Sequence, residues 1–117
     1  ALRAELAAAD AVVFCTPEYA GTLPGSLKNL LDWTVGNGDL HGKPAAWINV
    51  AADPRRGGGA TETLALVLGY VDAVVIEAAC LRIPVSQDII GPDGVVADAA
   101  ARDRLAAVLR TVAAYPV

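Results

Sequence analysis

The sequence has no methionine, a single histidine, a single phenylalanine and two cysteines, and its nine lysines and arginines face thirteen aspartates and glutamates. Each scarcity removes a class of function. His41 lies between Leu40 and Gly42 with no partner at metal-ligand spacing, so neither a zinc site nor a Ser-His-Asp triad can be assembled around it, and it is expected at the surface. Cys15 and Cys80 form no C-x-x-C pair and each sits in an apolar run. Both are therefore expected as reduced, buried core residues, which points to the cytoplasm. A net charge of −4 leaves no basic face for a nucleic-acid backbone. The most apolar stretch, 64–81, is broken by Gly69, Asp72 and Glu77, so no membrane-spanning helix is expected. The opening residues carry Arg3 and Glu5 without the basic-then-apolar order of a secretory signal. The missing methionine fits an initiator removed ahead of Ala1, and it equally fits a chain whose beginning lies upstream.

What is present is apolar: 55% of the 117 residues are hydrophobic and the mean hydropathy is +0.45, enough for one buried core and too little chain for two. Short apolar runs alternate with segments of helical period, separated by glycine and proline, which is the pattern of an α/β domain. Residues 1–9 read as the tail of a helix. The continuous run 11–15, entered from Asp10, predicts an interior strand of a parallel sheet. Leu23, Leu27, Leu30, Leu31 and Thr34 recur at helical spacing, with Thr22 as cap, Pro24 in an early turn and Gly36 and Gly38 at the end. A second strand is predicted from Pro44 to about Val50, followed by the glycine-rich loop 51–59 and a helix carrying Leu64, Val67 and Leu68. Val74-Val75-Ile76 predicts a third strand, extended or bulged through Leu81-Arg82-Ile83. After a turn at 91–94, Asp98 caps a closing helix with Leu105, Val108, Leu109 and Val112 on its buried face and Arg102, Arg104 and Arg110 in solvent.

Three parallel strands that begin with an interior-type strand leave one apolar edge uncovered. Either a further βαβ unit precedes Ala1 or a partner chain pairs with that edge. Trp33 and Trp47 are expected as core or interface anchors, Trp33 being the better placed for a contact between subunits.

Two loops carry the chemistry. Strand, glycine-rich loop and helix in succession make an anion or cofactor site, and ligands of open α/β sheets sit outside the carboxyl ends of the strands. As a dinucleotide fingerprint Gly57-Gly58-Gly59 fails, because Glu62 stands where the last glycine belongs, and no G-x-x-x-x-G-K run exists for a nucleoside triphosphate. Ser26 and Ser86 lack a nucleophile-elbow context.

Thr16-Pro17-Glu18-Tyr19, followed by Gly21-Thr22-Leu23-Pro24-Gly25-Ser26-Leu27-Lys28-Asn29-Leu30-Leu31-Asp32-Trp33, resembles the signature of the NADPH-dependent FMN reductase family, and the likeness continues through Arg56-Gly57-Gly58-Gly59-Ala60 and Gly91-Pro92-Asp93-Gly94. The resemblance implies a flavodoxin-like, three-layer α/β fold with a parallel sheet, of which residues 1–117 form one domain incomplete at its N-terminus. The strand, phosphate-cradling loop, helix and second strand that such proteins place first are not in this sequence. It implies an oxidoreductase passing hydride from NADPH or NADH through bound FMN to a small acceptor such as a quinone or free flavin, in a homodimer or homotetramer. Pro17, Glu18 and Tyr19 would lie along the flavin ring through main-chain contacts, with Gly57 and Gly58 approaching from the other loop; Arg56 would either help hold the phosphates of NADPH or stand as a solvated loop residue, and Arg55 is expected to be solvated. No catalytic side chain is implied, because the flavin carries the hydride. Relatives often have Asn where Ala20 stands and a small residue where Arg55 stands. A non-catalytic flavodoxin-like module that binds flavin or a partner is the alternative.

Overall fold

Alternating β-branched, small and aromatic residues build the sheet, and the computed structural model describes residues 1–116. Helix α1 (Leu2–Ala8) leads into strand β1 (Val12–Thr16), helix α2 (Gly25–Val35), strand β2 (Pro44–Asn49) and helix α3 (Gly58–Tyr70). The third lane of the sheet is interrupted. Strand β3 (Val74–Val75) pairs with the start of β2, the chain lifts away through a 3-10 turn at Glu77–Ala79, and strand β4 (Leu81–Arg82) returns to pair with the end of β2. A second 3-10 turn at Gln87–Ile89 precedes helix α4 (Ala99–Ala113). All the pairings are parallel, with Val12 opposite Ala45 and Thr16 opposite Asn49. The bulged third strand expected from the sequence is thus two strands that share one neighbour.

The sheet is covered on both faces. On one, Leu6, Leu31, Leu64 and Leu68 from α1, α2 and α3 close over Phe14 and Ala45; on the other, Ala101 and Val108 of α4 pack with Ala46, Ile48, Ile76, Ala79 and Ile83. Full burial of each large aliphatic side chain contributes about 1.5–3 kcal/mol, so these two layers hold the molecule together. Asp98 caps α4 as expected, its carboxylate accepting the Ala101 N–H at 2.9 Å.

Four expectations need correction. Cys15 is exposed and Cys80 half-buried. Successive residues of a strand point to opposite faces, so Cys15 shares the α4 face, and α4 packs across β2 and the third lane without reaching the far end of β1. Leu109 is 58% exposed, lying on the flank of α4 that overhangs this same open side, while Leu105, Val108 and Val112 face the core. Thr22 does not cap α2: Pro24 stands at the cap, its carbonyl accepting from Leu27 and Lys28 at 3.1 Å each, because residues 19–22 are closed into a turn of their own. Arg102 and Arg104 are not simply solvated, for they donate to the carbonyls of Val96 and Arg82 at 3.0 and 2.6 Å.

Among the described residues β1 pairs only with β2, so its outer edge is unpaired, as expected for an interior-type strand standing at the rim. Trp33 is 65% exposed and Trp47 packs against the core. His41 is at the surface, 3.6 Å from the Asp72 carboxylate.

Candidate functional site

Strands β1 and β2 end side by side, and each releases a loop from its carboxyl end. The first loop turns sharply because Tyr19 and Thr22 exchange both backbone hydrogen bonds, at 3.0 and 3.1 Å, across Ala20 and Gly21. Both central residues have positive φ, 49° and 81°, the geometry of a turn that favours Asn-Gly. Ala20 therefore sits where a side chain able to bond its own backbone would be more comfortable than a methyl group.

The second loop, 50–57, is held from beneath by two side chains that the sequence reading did not single out. Asn49, 2% exposed, accepts the Ala51 N–H at 3.0 Å and donates to the Gly57 carbonyl at 2.7 Å and the Thr61 hydroxyl at 3.0 Å, so it staples both ends of the loop. Arg82 lies opposite Asn49 in the sheet register and gathers the loop's crown. Its Nη1 donates to the carbonyls of Pro54 (3.3 Å) and Arg56, and its Nη2 to those of Ala51 (2.9 Å) and Asp53. Both had a signal in the sequence: a lone polar residue closing an apolar strand before a glycine-rich loop, and a lone charge within Cys80-Leu81-Arg82-Ile83.

The two loops are tied to each other. The Glu18 carboxylate accepts the Gly59 N–H at 3.0 Å, and the Thr22 and Thr63 hydroxyls lie 2.7 Å apart. Gly59 permits this closeness, since a Cβ there would sit 1.8 Å from the Gly21 carbonyl oxygen. Gly57, at the head of α3 with φ 106°, is likewise required: a Cβ would meet Asn49 Nδ2 at 2.8 Å. Gly58 differs, because a Cβ on it meets nothing within 4 Å. Glu18 thereby acts through its side chain as well as its backbone, and it occupies the positive end of α3 that would otherwise attract an anion.

Between the loops lies a cavity of about 320 Å³ lined by Pro17, Glu18, Val50, Ala51, Ala52, Asp53, Arg56 and Val85. Of the residues expected at a site, Pro17, Glu18 and Arg56 line it. Tyr19, 62% exposed, stands in the adjacent turn, and Gly57 and Gly58 flank the cavity at the start of α3. Arg55 does not enter: it grips the Asp53 carboxylate through Nε and Nη2 at 3.2 and 3.1 Å, which holds that carboxyl below the usual carboxylate range. Arg56 adds a weaker charge contact at 3.8 Å. Among the described residues the amides of Glu18, Ala52, Asp53, Gly57 and Gly58 donate to no protein acceptor. Free donors on two neighbouring loops, beside small side chains and a prolyl surface, fit the acceptor-bearing edge of a planar heterocycle. Another hollow, of about 340 Å³ and lined in part by Asp10, Pro44 and Leu109, lies at the opposite, amino ends of the strands.

Residues 1–88 match the NADPH-dependent FMN reductase family. A 2-hydroxy-1,4-benzoquinone reductase from Burkholderia sp. is 30% identical over 118 residues, covering 98% of this chain and 64% of the relative. Among solved structures, the flavoenzyme NAD(P)H:(acceptor) oxidoreductase FerB from Paracoccus denitrificans superposes with a TM-score of 0.77 at 29% identity, covering 96% of this chain and 64% of that one. A flavodoxin, WrbA-like protein from Agrobacterium tumefaciens superposes with a TM-score of 0.62 at 18% identity, which speaks to the fold. The fold is flavodoxin-like, as expected. The chain spans roughly half the length of the curated relatives it matches.

Proposed function

The chain belongs to the NADPH-dependent FMN reductase family, and from that premise we propose that it supplies the ring-binding part of an FMN-dependent oxidoreductase that passes reducing equivalents from NADPH or NADH to a small acceptor of the quinone type. The observation that carries this reading is the cavity between the two loops, with free amides at Glu18, Ala52 and Asp53 on its wall. Bound FMN would supply the hydride-transfer chemistry between the nicotinamide cofactor and the acceptor. The protein's task is then binding and orientation. Pro17, Glu18 and Tyr19 would run along one side of the ring, Gly57 and Gly58 would approach from the other loop, and Arg56 would stand at the rim, free to meet a phosphate of the nicotinamide cofactor. The open space beside Gly58 supports close backbone approach.

The residues fit the ring and not the phosphate. At the head of α3 the Glu18 carboxylate already accepts the Gly59 N–H, and its negative charge there disfavours a phosphate. A phosphate-binding segment upstream of residue 1, lying along the unpaired edge of β1, fits both this and the exposure of Cys15. A homodimer or homotetramer fits the exposed indole of Trp33. Among the described residues no helix is long and apolar enough to cross a membrane, and two free cysteines suit a reducing, cytoplasmic setting.

The carboxylate at the head of α3 also favours a second reading, a flavin-binding module without turnover. The deciding assay follows NADPH oxidation with FMN and a benzoquinone added singly and together. Oxidation that requires both supports the reductase; flavin binding without oxidation supports the module; neither binding nor oxidation refutes the cavity as a flavin site.

A further inference from the structure

The loop that walls the cavity carries its carbonyls on one side. Four of them, from Ala51, Asp53, Pro54 and Arg56, converge on the two Nη atoms of Arg82. Four N–H donors on two nitrogens meet four acceptors, so the fork is filled. Such convergence is costly to arrange without a cation, because carbonyl dipoles aimed at one point repel each other. No carboxylate forms an ion pair with Arg82 among the described residues; the carbonyls themselves solvate the charge.

The convergence has a consequence for the opposite side of the loop. In a trans peptide the C=O of one residue and the N–H of the next point in opposite directions within one plane. No peptide bond here is cis. Turning the Ala51 and Arg56 carbonyls toward Arg82 therefore turns the Ala52 and Gly57 amides away from it, and both amides are without a protein acceptor. Ala52 lines the cavity. The backbone of Arg82 is fixed in turn, since the next residue, Ile83, donates its N–H to the Asn49 carbonyl at 2.9 Å and the Arg82 carbonyl accepts from Arg104 at 2.6 Å.

We infer that Arg82 is a positioning residue for the flavin site: by collecting the carbonyls of residues 51–56 on one guanidinium it presents the amides of Ala52 and Gly57 as donors to the ring edge of the cofactor. This rests on the flavin reading given above. Lysine cannot replace it, because one ammonium with three N–H groups at a single point does not span four carbonyls.

The test uses Arg82→Gln and Arg82→Lys, with FMN and riboflavin as separate probes, riboflavin having the ring without the phosphate. Binding is read by quenching of flavin fluorescence, and amide hydrogen exchange is followed at Ala52 and Gly57 with and without riboflavin. In the wild type, riboflavin slows exchange at both amides. Arg82→Gln weakens riboflavin and FMN by the same factor, about tenfold or more, as expected for one or two misdirected hydrogen bonds. It also removes the protection at the two amides, and Arg82→Lys restores little of either. A lowered melting temperature with unchanged riboflavin affinity, visible spectrum and amide protection would overturn the inference and leave Arg82 a purely structural residue. Failure of the wild type to bind either flavin would instead overturn the functional reading, and this inference with it.

Discussion

Gly58 and Gly59 are adjacent in sequence and opposite in what they tolerate. A methyl group on Gly59 would lie 1.8 Å from the Gly21 oxygen, 2.8 Å from its carbon and 3.0 Å from the Glu18 carboxylate, so the 19–22 turn and the head of α3 must part. Parting them breaks the Gly59 N–H to Glu18 hydrogen bond of 3.0 Å, a bond to a charged acceptor with a typical value of about 1.5–3 kcal/mol. Strain in the displaced turn adds to this, giving a loss of about 2–4 kcal/mol for Gly59→Ala. At about 4 °C per kcal/mol for a chain of this size, the melting temperature falls by about 8–16 °C. The same substitution at Gly58 meets nothing within 4 Å and restricts the unfolded chain, so it should stabilise by about 0.4–1 kcal/mol. Chemical denaturation of the two variants beside the wild type measures both. Shifts of the same sign and size at the two positions would refute the claim that one glycine serves the fold and the other leaves room for a ligand. Gly58→Val then completes the argument: it should fold as the wild type does and bind FMN far more weakly, and undiminished flavin affinity would remove this loop from the site.

Three further outcomes are expected. Ala20, at φ 49°, holds a conformation that asparagine adopts more readily, so Ala20→Asn should raise stability by about 0.5–1 kcal/mol in urea denaturation, and a loss would mean that the turn is not of the type described. Asp53 has a carboxyl pKa lowered chiefly by its bonds to Arg55; its contribution is therefore present above the unfolded carboxylate pKa of about 3.9 and lost as pH falls through the lower folded value. The dispersion of loop amides 51–56 in NMR spectra should collapse only on that acid side, and in Asp53→Asn the same transition should be absent. Cys15, open on the flank of β1 yet with its thiol pKa raised above 9.0 by partial desolvation, should be alkylated slowly at neutral pH and rapidly in alkali, faster than half-buried Cys80; mass spectrometry after timed iodoacetamide treatment reads this, and full protection of Cys15 would show that something covers the flank.

The order of elements was legible because each strand is a short apolar run and each helix has its apolar residues three and four apart, so burial on two faces or on one leaves its period in the sequence. The third lane was legible as an ambiguity. Val74-Val75 and Leu81-Arg82 both read as strand, and only the register against β2 shows that one lane holds both. Cys15 was misjudged because an apolar neighbourhood in sequence says what a strand could bury, and the absence of cover over its end is a tertiary fact. Thr22 was misjudged because a hydroxyl two residues before a proline suits a cap and a turn equally, and the pairing with Tyr19 decided between them. At the site, the loops themselves were legible from glycine and proline. Their fasteners were not, since Asn49 and Arg82 act on the backbone of the loop, Arg82 from far along the chain, and a bond from side chain to backbone leaves no periodicity.

Those fasteners explain why the site consists of backbone. Asn49 fixes the ends of the 50–57 loop, Arg82 its crown, and Glu18 its distance from the neighbouring loop. Each side chain spends its own hydrogen-bonding capacity on the protein and leaves peptide N–H groups facing outward. Donors so held need no ordering when a ligand arrives, which lowers the entropic cost of binding. The division also accounts for the polar side chains around the cavity having no acid or base role in the proposed reaction: they are committed to shape, and the electron chemistry belongs to whatever the amides hold.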